Sequence, residues 1–335
     1  MQSKLTLFFC FLLSSLILNA YSAYSNNLGA SSILTADSVS RVEKSQVTFT
    51  SGQYKLKGQI IAPKGSNKKV PAIIFCVGSG EGSSYTTSYA SMLDSLLEQN
   101  LPLDSVALFY FDKRGVGESE GKWYTATFEE RAADAKAAAD YLKTLPFIDS
   151  ERIAVIGHSQ GGWISLICVS KYPDTFIGGI SMAGPTFDVR EQLLNDYTSS
   201  LICNEHLNEK EAREKATAKA NLAFSVVSIM PLKGQWKQLQ VIKRFEPAKY
   251  ISTIQGPFLF MFGENDALVS PTNSMKALNR IYPQGLPPTI QAITISGANH
   301  GFKLSELCYQ GSWDKLAYSE ECKQHINRWV RKFLL

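Results

Sequence analysis

The stretch "RIAVIGHSQGGWISL", Arg152 to Leu166, joins an apolar run to an amphipathic one through a serine set between glycines. Ile153 to Ile156 reads as a buried strand, and the segment from Trp163 onward reads as a helix. Between them, Gly157, Ser159 and Gly161 fit the pattern G-x-S-x-G. On a sharp strand-to-helix turn the apex residue takes strained backbone angles, and side chains two positions to either side would collide. Glycine at 157 and 161 removes that collision. Such a turn exposes the Ser159 oxygen at the top of a sheet. It also aims the Gln160 N–H at whatever that oxygen attacks, with the positive end of the helix beneath.

The flanking segments repeat the strand–helix rhythm. "SQVTFTSGQYKLKGQIIAP" alternates apolar and polar residues about Ser51-Gly52, the signal of a strand–turn–strand. "VPAIIFCVGSGEGSS" and "SVALFYFDKRGVGES" are apolar runs ending in Gly-rich loops, as strands buried on both faces do. "TSYASMLDSLLEQN" and "FEERAADAKAAADYLKTL" have helical period and composition. "FIGGISMAG" adds a strand, and after Pro185 the rhythm breaks. No buried-strand run occurs from about 186 to 250, where the pattern is helical. The alternation resumes with "PFLFMFGEND", a helix from Asn273 to Ile281, "TIQAITISGANHGF" and a last amphipathic helix from Asp314 to Phe333. The expected fold is α/β: a mostly parallel central sheet, helices on both faces, and a helical cap inserted at about 186–250. That cap would hang over the carboxyl ends of the strands, where open α/β sheets bind ligands.

Composition narrows the class. A formal charge of +4 over 335 residues, with no basic block, argues against nucleic acid as a partner. Lys4, the apolar run Leu5 to Leu18, and the small residues Ala20, Ser22 and Ala23 form a secretory signal pattern over residues 1–23. The mature chain, 24–335, is expected to be secreted or periplasmic, without stable membrane insertion. Of six cysteines, Cys10 leaves with the signal and Cys76, in an apolar run, is expected to be a buried free thiol. Cys308 and Cys322 flank a loop and are the expected disulfide. The pairs Cys203/His206 and Cys322/His325 share a spacing that suits a zinc site. They lie far apart in sequence, so they are read as helix-surface polarity, and no metal is expected.

A serine hydroxyl needs a base at neutral pH, most often histidine. The chain has four: His158, His206, His300 and His325. His158 precedes the nucleophile and should diverge from it on the turn. His206 lies in the insertion and His325 in the last helix. His300, in "SGANHGF" after the last strand, belongs at the same sheet edge as Ser159. The base needs a carboxylate to hold its tautomer. Glu264 and Asp266 both follow the strand "FLFMF". Asp266 lies further beyond the strand end and is preferred, with Asp188 a distant third. The catalytic set is therefore Ser159, Asp266 and His300, in the chain order expected for an elbow on this sheet. The oxyanion donors are the backbone N–H groups of Gln160 and of Ser79, in the loop after the strand at 71–77, with Gly80 close behind. The loop "FDKRGVGESEG" lacks the phosphate-binding pattern. Asp112 and Arg114 within it are expected to pair with each other or with loop amides.

Together "GHSQGG", "GENDALV", "GANHGF" and "DKRGVGESEG" resemble the α/β-hydrolase superfamily over nearly the whole mature chain. "VTFTSGQYKLKGQIIAPKG" leading into "PAIIFCVGSG" is similar to secreted bacterial esterases of the dienelactone hydrolase and serine aminopeptidase-like group. The resemblance implies a serine hydrolase cleaving small-molecule carboxylic esters through an acyl-enzyme on Ser159, with no metal or organic cofactor. Peptidase, thioesterase and acyltransferase use the same triad and remain open. One departure stands out. Family members usually carry His-Gly before the oxyanion loop, where that His braces it; here Val77-Gly78 occupies the place.

Overall fold

A computed structural model of the chain describes residues 41–65, 68–230 and 232–335. The expected signal segment, 1–23, lies outside the described residues. Eight strands form one sheet in the order β1-β2-β4-β3-β5-β6-β7-β8. The hairpin β1 (Val42–Ser51) and β2 (Tyr54–Pro63) is antiparallel and adds to β4 (Ala107–Phe111) antiparallel. From β4 onward every pairing is parallel, through β3 (Val70–Cys76), β5 (Ile148–His158), β6 (Gly178–Met182), β7 (Phe258–Gly263) and β8 (Ile290–Ile295).

The continuous apolar runs are explained by two-sided burial. Along β3, Ala72, Ile74 and Cys76 join one core and Ile73, Phe75 and Val77 the other, because successive side chains leave a strand on opposite faces. The first core holds the faces of α2 (Phe128–Lys143) and α3 (Gln160–Lys171). The second holds α1 (Ala90–Met92), which runs on as a π-turn over Leu93–Glu98, and α9 (Glu320–Phe333). Each fully buried Ile or Phe in these layers contributes about 1.5–3 kcal/mol. A capping box starts α2: Thr127 Oγ1 accepts from the Glu130 N–H, and Glu130 accepts from the Thr127 N–H.

Between β6 and β7 stand four helices, α4 (Val189–Glu205), α5 (Glu209–Ile229), α6 (Gly234–Ile242) and α7 (Ala248–Ile251). Tyr250 and Ile251 of α7 join the first core, and polar contacts and a disulfide tie the insertion to the carboxyl end of the sheet. The Gln192 and Asn195 amides donate to the Leu268 carbonyl after β7, at 2.6 and 2.7 Å. Gln238 of α6 reaches the Gln160 side chain at 3.4 Å, and Cys203 of α4 is disulfide-bonded to Cys308 in the loop beyond β8. That bond corrects the expected Cys308–Cys322 pair: Cys322 is a buried free thiol on the core face of α9. Cys203 is thereby removed from any zinc set. Cys76 is buried and free. Helix α8 spans Pro271–Ile281. The last helix starts at Glu320 rather than Asp314, because the Ser319 hydroxyl caps it through the Cys322 N–H, and only a 3₁₀ turn, Trp313–Lys315, precedes it. No helix of the described residues is long and apolar enough to cross a membrane.

Candidate active site

Ser159 sits between β5 and α3 with φ 57° and ψ −123°, a backbone conformation costly for any residue with a side chain. The glycines make it possible. A Cβ on Gly157 would lie 1.8 Å from the Gly161 carbonyl oxygen, and one on Gly161 would lie 2.0 Å from the Cys76 carbonyl oxygen. The first contact is the collision expected within the elbow; the second is with the neighbouring strand β3. No acceptor among the described residues meets the N–H of Gln160 or of Ser79.

His300 follows β8, and its Nδ1 lies 2.8 Å from Asp266 Oδ2. Asp266 is fixed in turn: its Oδ1 accepts from the N–H groups of Leu268 and Val269, both at 2.8 Å. A carboxylate can only accept, so His300 carries its proton on Nδ1 and leaves Nε2 free to act as a base. Burial disfavours the charged imidazole, but the carboxylates of Asp266 and Asp196 outweigh it and raise the His300 pKa. Glu264 lies at the surface and accepts from Gly297 N–H and Ser296 Oγ instead. Asp188 caps α4 through the Glu191 N–H. No hydrogen bond among the described residues joins Ser159 to His300, a looseness common before substrate binds.

What brings His300 to the elbow is His158. The two rings lie 4.9 Å apart, and His158 Nε2 is 2.8 Å from the His300 carbonyl oxygen. That oxygen can only accept, so Nε2 bears the His158 proton. Burial, then the neighbouring His300, holds the His158 pKa down at about 3, so the ring is neutral. Its Nδ1 then accepts from Tyr89 Oη at 2.8 Å, and Tyr89 Oη accepts from the Gly78 N–H at 2.9 Å. One chain of hydrogen bonds runs from the oxyanion loop to the His300 backbone. Tyr89 holds the Gly78 N–H where the usual His-Gly pair would brace the loop. The sequence reading set His158 aside as a base without giving it a role, and did not single out Tyr89. The signal for His158 was its place at the buried end of β5, where a polar ring must find partners.

Two more groups matter. Asp196 of α4 accepts from Gln192 at 2.6 Å and is pushed up to about 7 by burial and by the Asp266 charge, against the pull of Gln192 and His300. It brings a carboxyl from the cap into the field of the His300 pair. In the "DKRG" loop, Asp112 accepts from Ser84 Oγ and the Tyr85 N–H, the loop-amide pairing expected. Arg114 does not pair with Asp112; it reaches Asp134 on α2 at 2.8 Å. Among the apolar residues near the end of α5, Val227 is fully buried, Phe224 and Val226 are half-buried, and Ile229 is 82% exposed.

Comparison with known proteins agrees with this architecture. Residues 100–236 match the model of the prolyl oligopeptidase family. The Pyrococcus furiosus esterase Pf2001 superposes with a TM-score of 0.58 at 19% identity, covering 88% of this chain and 92% of that one. The chain has the α/β-hydrolase fold. By sequence it is similar to dipeptidyl-peptidase 5 of Porphyromonas gingivalis, 22% identical over 252 residues, 73% of this chain. It is also similar to the uncharacterized protein YfhR of Salmonella typhi, 44% identical over 62 residues, 18% of this chain. The matches span 33% and 20% of those proteins' lengths.

Proposed function

We propose that this α/β-hydrolase is a secreted serine hydrolase that cleaves carboxylic esters of small molecules through an acyl-enzyme on Ser159. The observation that carries the reading is the 2.8 Å Asp266–His300 contact held against the strained Ser159 elbow by His158. Ser159 Oγ attacks the acyl carbon while His300 Nε2 takes its proton. Asp266 holds the Nδ1 proton and stabilises the imidazolium. The N–H groups of Gln160 and Ser79 receive the oxyanion, each such donor being worth roughly 10²–10³ in rate. His300 returns the proton to the departing alcohol, then draws a proton from the water that frees the acyl group. Export is supported by the apolar leader and by the Cys203–Cys308 disulfide, since such bonds persist in oxidising compartments.

A second reading, peptide cleavage beside a free amino terminus, is favoured by Asp196, a carboxyl on the cap that could receive an ammonium group near His300. The likeness to dipeptidyl-peptidase 5 points the same way. Labelling with a fluorophosphonate probe tests the shared nucleophile: wild type should label and Ser159→Ala should not. A panel of p-nitrophenyl esters beside aminoacyl arylamides separates the readings. Short to medium acyl esters should turn over fastest; faster arylamides would replace the ester reading by the peptidase one.

A further inference from the structure

Two cations lie buried behind the oxyanion loop. Lys113, 3% exposed, follows β4, and Arg131, 4% exposed, stands on the apolar face of α2. Neither forms an ion pair with a carboxylate among the described residues. Burying an unpaired charge costs several kcal/mol. Burial, followed by the repulsion of Arg131, accordingly pushes the Lys113 pKa well down. Local rules of this kind are broken mainly where function requires it.

Both cations converge on one atom. Lys113 Nζ donates to the Gly78 carbonyl oxygen at 2.6 Å, and Arg131 Nη2 donates to it at 3.3 Å. Arg131 Nη2 also holds the Val77 carbonyl at 2.7 Å, and its Nη1 donates to Gln160 Oε1 at 3.0 Å. The carbonyl of Gly78 and the N–H of Ser79 belong to one planar peptide. The chain has no cis bonds among its described residues, so the two groups point in opposite directions. Fixing the carbonyl on the cations therefore fixes the N–H on the far side. The same peptide is close to the nucleophile: a Cβ on Gly78 would lie 3.2 Å from Ser159 Cβ. Donation to the carbonyl also polarises the peptide and strengthens its N–H as a donor.

We propose that Lys113 and Arg131 are positioning residues that clamp the Gly78–Ser79 peptide, presenting the Ser79 N–H to the oxyanion and, through Arg131, tying it to the Gln160 side of the same hole. The clamp holds the loop from its carbonyl side, while Tyr89 holds the Gly78 N–H in place of the missing His. It rests on the serine-hydrolase reading, because an oxyanion must form for the clamp to act on it.

The test uses the full chain, a p-nitrophenyl ester and phenylboronic acid, whose tetrahedral adduct mimics the intermediate. Lys113→Met should lower kcat by roughly 10–100-fold, with KM within about twofold, and weaken boronate binding by a similar factor. Lys113→Arg, which keeps a donor at the site, should recover most of the loss. Arg131→Lys keeps the buried charge but cannot span Val77, Gly78 and Gln160 at once. It should lower kcat without raising KM, and it keeps the test open if the Met variant does not fold. Unchanged kcat in folded Lys113→Met and Arg131→Lys would overturn the clamp, as would losses confined to KM. If wild type itself takes no fluorophosphonate label, the hydrolase reading fails and the clamp with it; a labelled wild type with indifferent variants rejects the clamp alone.

Discussion

The sheet and the cap hold their residues in different ways. At the carboxyl end of the sheet the groups around the nucleophile are fixed more than once. Asp266 accepts two backbone N–H bonds before it meets His300, and Gly78 is held through both its N–H and its carbonyl. The cap is held by side chains and one covalent link. Gln192 and Asn195 grip a single carbonyl, Gln238 touches Gln160 at 3.4 Å, and Cys203–Cys308 closes the far side. Helices α4 and α5 pack on each other through Leu201, Ala212 and Ala216, a small cluster of their own. Such a division suits chemistry that tolerates little displacement beneath a cover that can admit different substrates.

Substitutions in the sheet should therefore abolish turnover, and those in the cap should tune it. Ser159→Ala or His300→Ala should cost about 10⁶ in kcat, and Asp266→Ala about 10⁴, with folding intact by circular dichroism. Glu264→Ala should leave kcat within about twofold, because its carboxylate serves only the 296–297 turn. If Glu264→Ala lost more activity than Asp266→Ala, the rigid part of the comparison would be misdrawn. One step down, Tyr89→Phe breaks the relay between Gly78 and His158 and leaves the His158 Nδ1 without its donor. A loss of roughly 10-fold in kcat and about 1–3 kcal/mol of stability is expected, read from steady-state kinetics and urea unfolding.

Paired Cys203→Ser and Cys308→Ser probes the cap's covalent tether. The bond closes a loop of 105 residues, and its removal should cost about 2–5 kcal/mol of stability. Because no reacting group moves, KM should rise several-fold while the rate of fluorophosphonate labelling at Ser159 stays within about threefold. A collapse of labelling would mean that the cap, not the sheet, holds the 302–319 loop and His300 in place.

How far the sequence can be read follows the same divide. Strands buried on both faces announce themselves as apolar runs, and the elbow needs glycine where a Cβ would strike a carbonyl, so β3 to β7 and Ser159 were legible from local pattern. The extra cap contacts were not. Which cysteine meets Cys308 depends on how α4 folds back over the sheet, and no periodicity records that. Arg114 finds Asp134 for the same reason: the partner is remote in sequence. Lys113 and Arg131 left a faint trace. An arginine on the helix face that otherwise carries Phe128, Ala132, Ala135 and Ala139 breaks the apolar stripe, and such a break signals a buried polar demand.

The smallest expected effect crosses the boundary between the two regions. Asp196 stands on the cap, yet its charge contributes to raising His300, alongside Asp266 and against burial. His300 must be neutral to act, so the acid limb of kcat/KM reports its pKa. Burial pushes the Asp196 carboxyl up to about 7, and its charge is coupled to that of His300, so the limb belongs to the pair. As Asp196 loses its proton it favours the imidazolium, delaying the appearance of the free base. Asp196→Asn removes that anion, so His300 should deprotonate at lower pH. The limb should move to the acid side by a few tenths of a pH unit and sharpen to a single ionisation, with the plateau rate unchanged. Under the peptidase reading, the same substitution should also raise KM for aminoacyl arylamides and leave that for neutral esters alone. A limb that stays in place would detach the cap from the electrostatics of His300 and confine its role to shape.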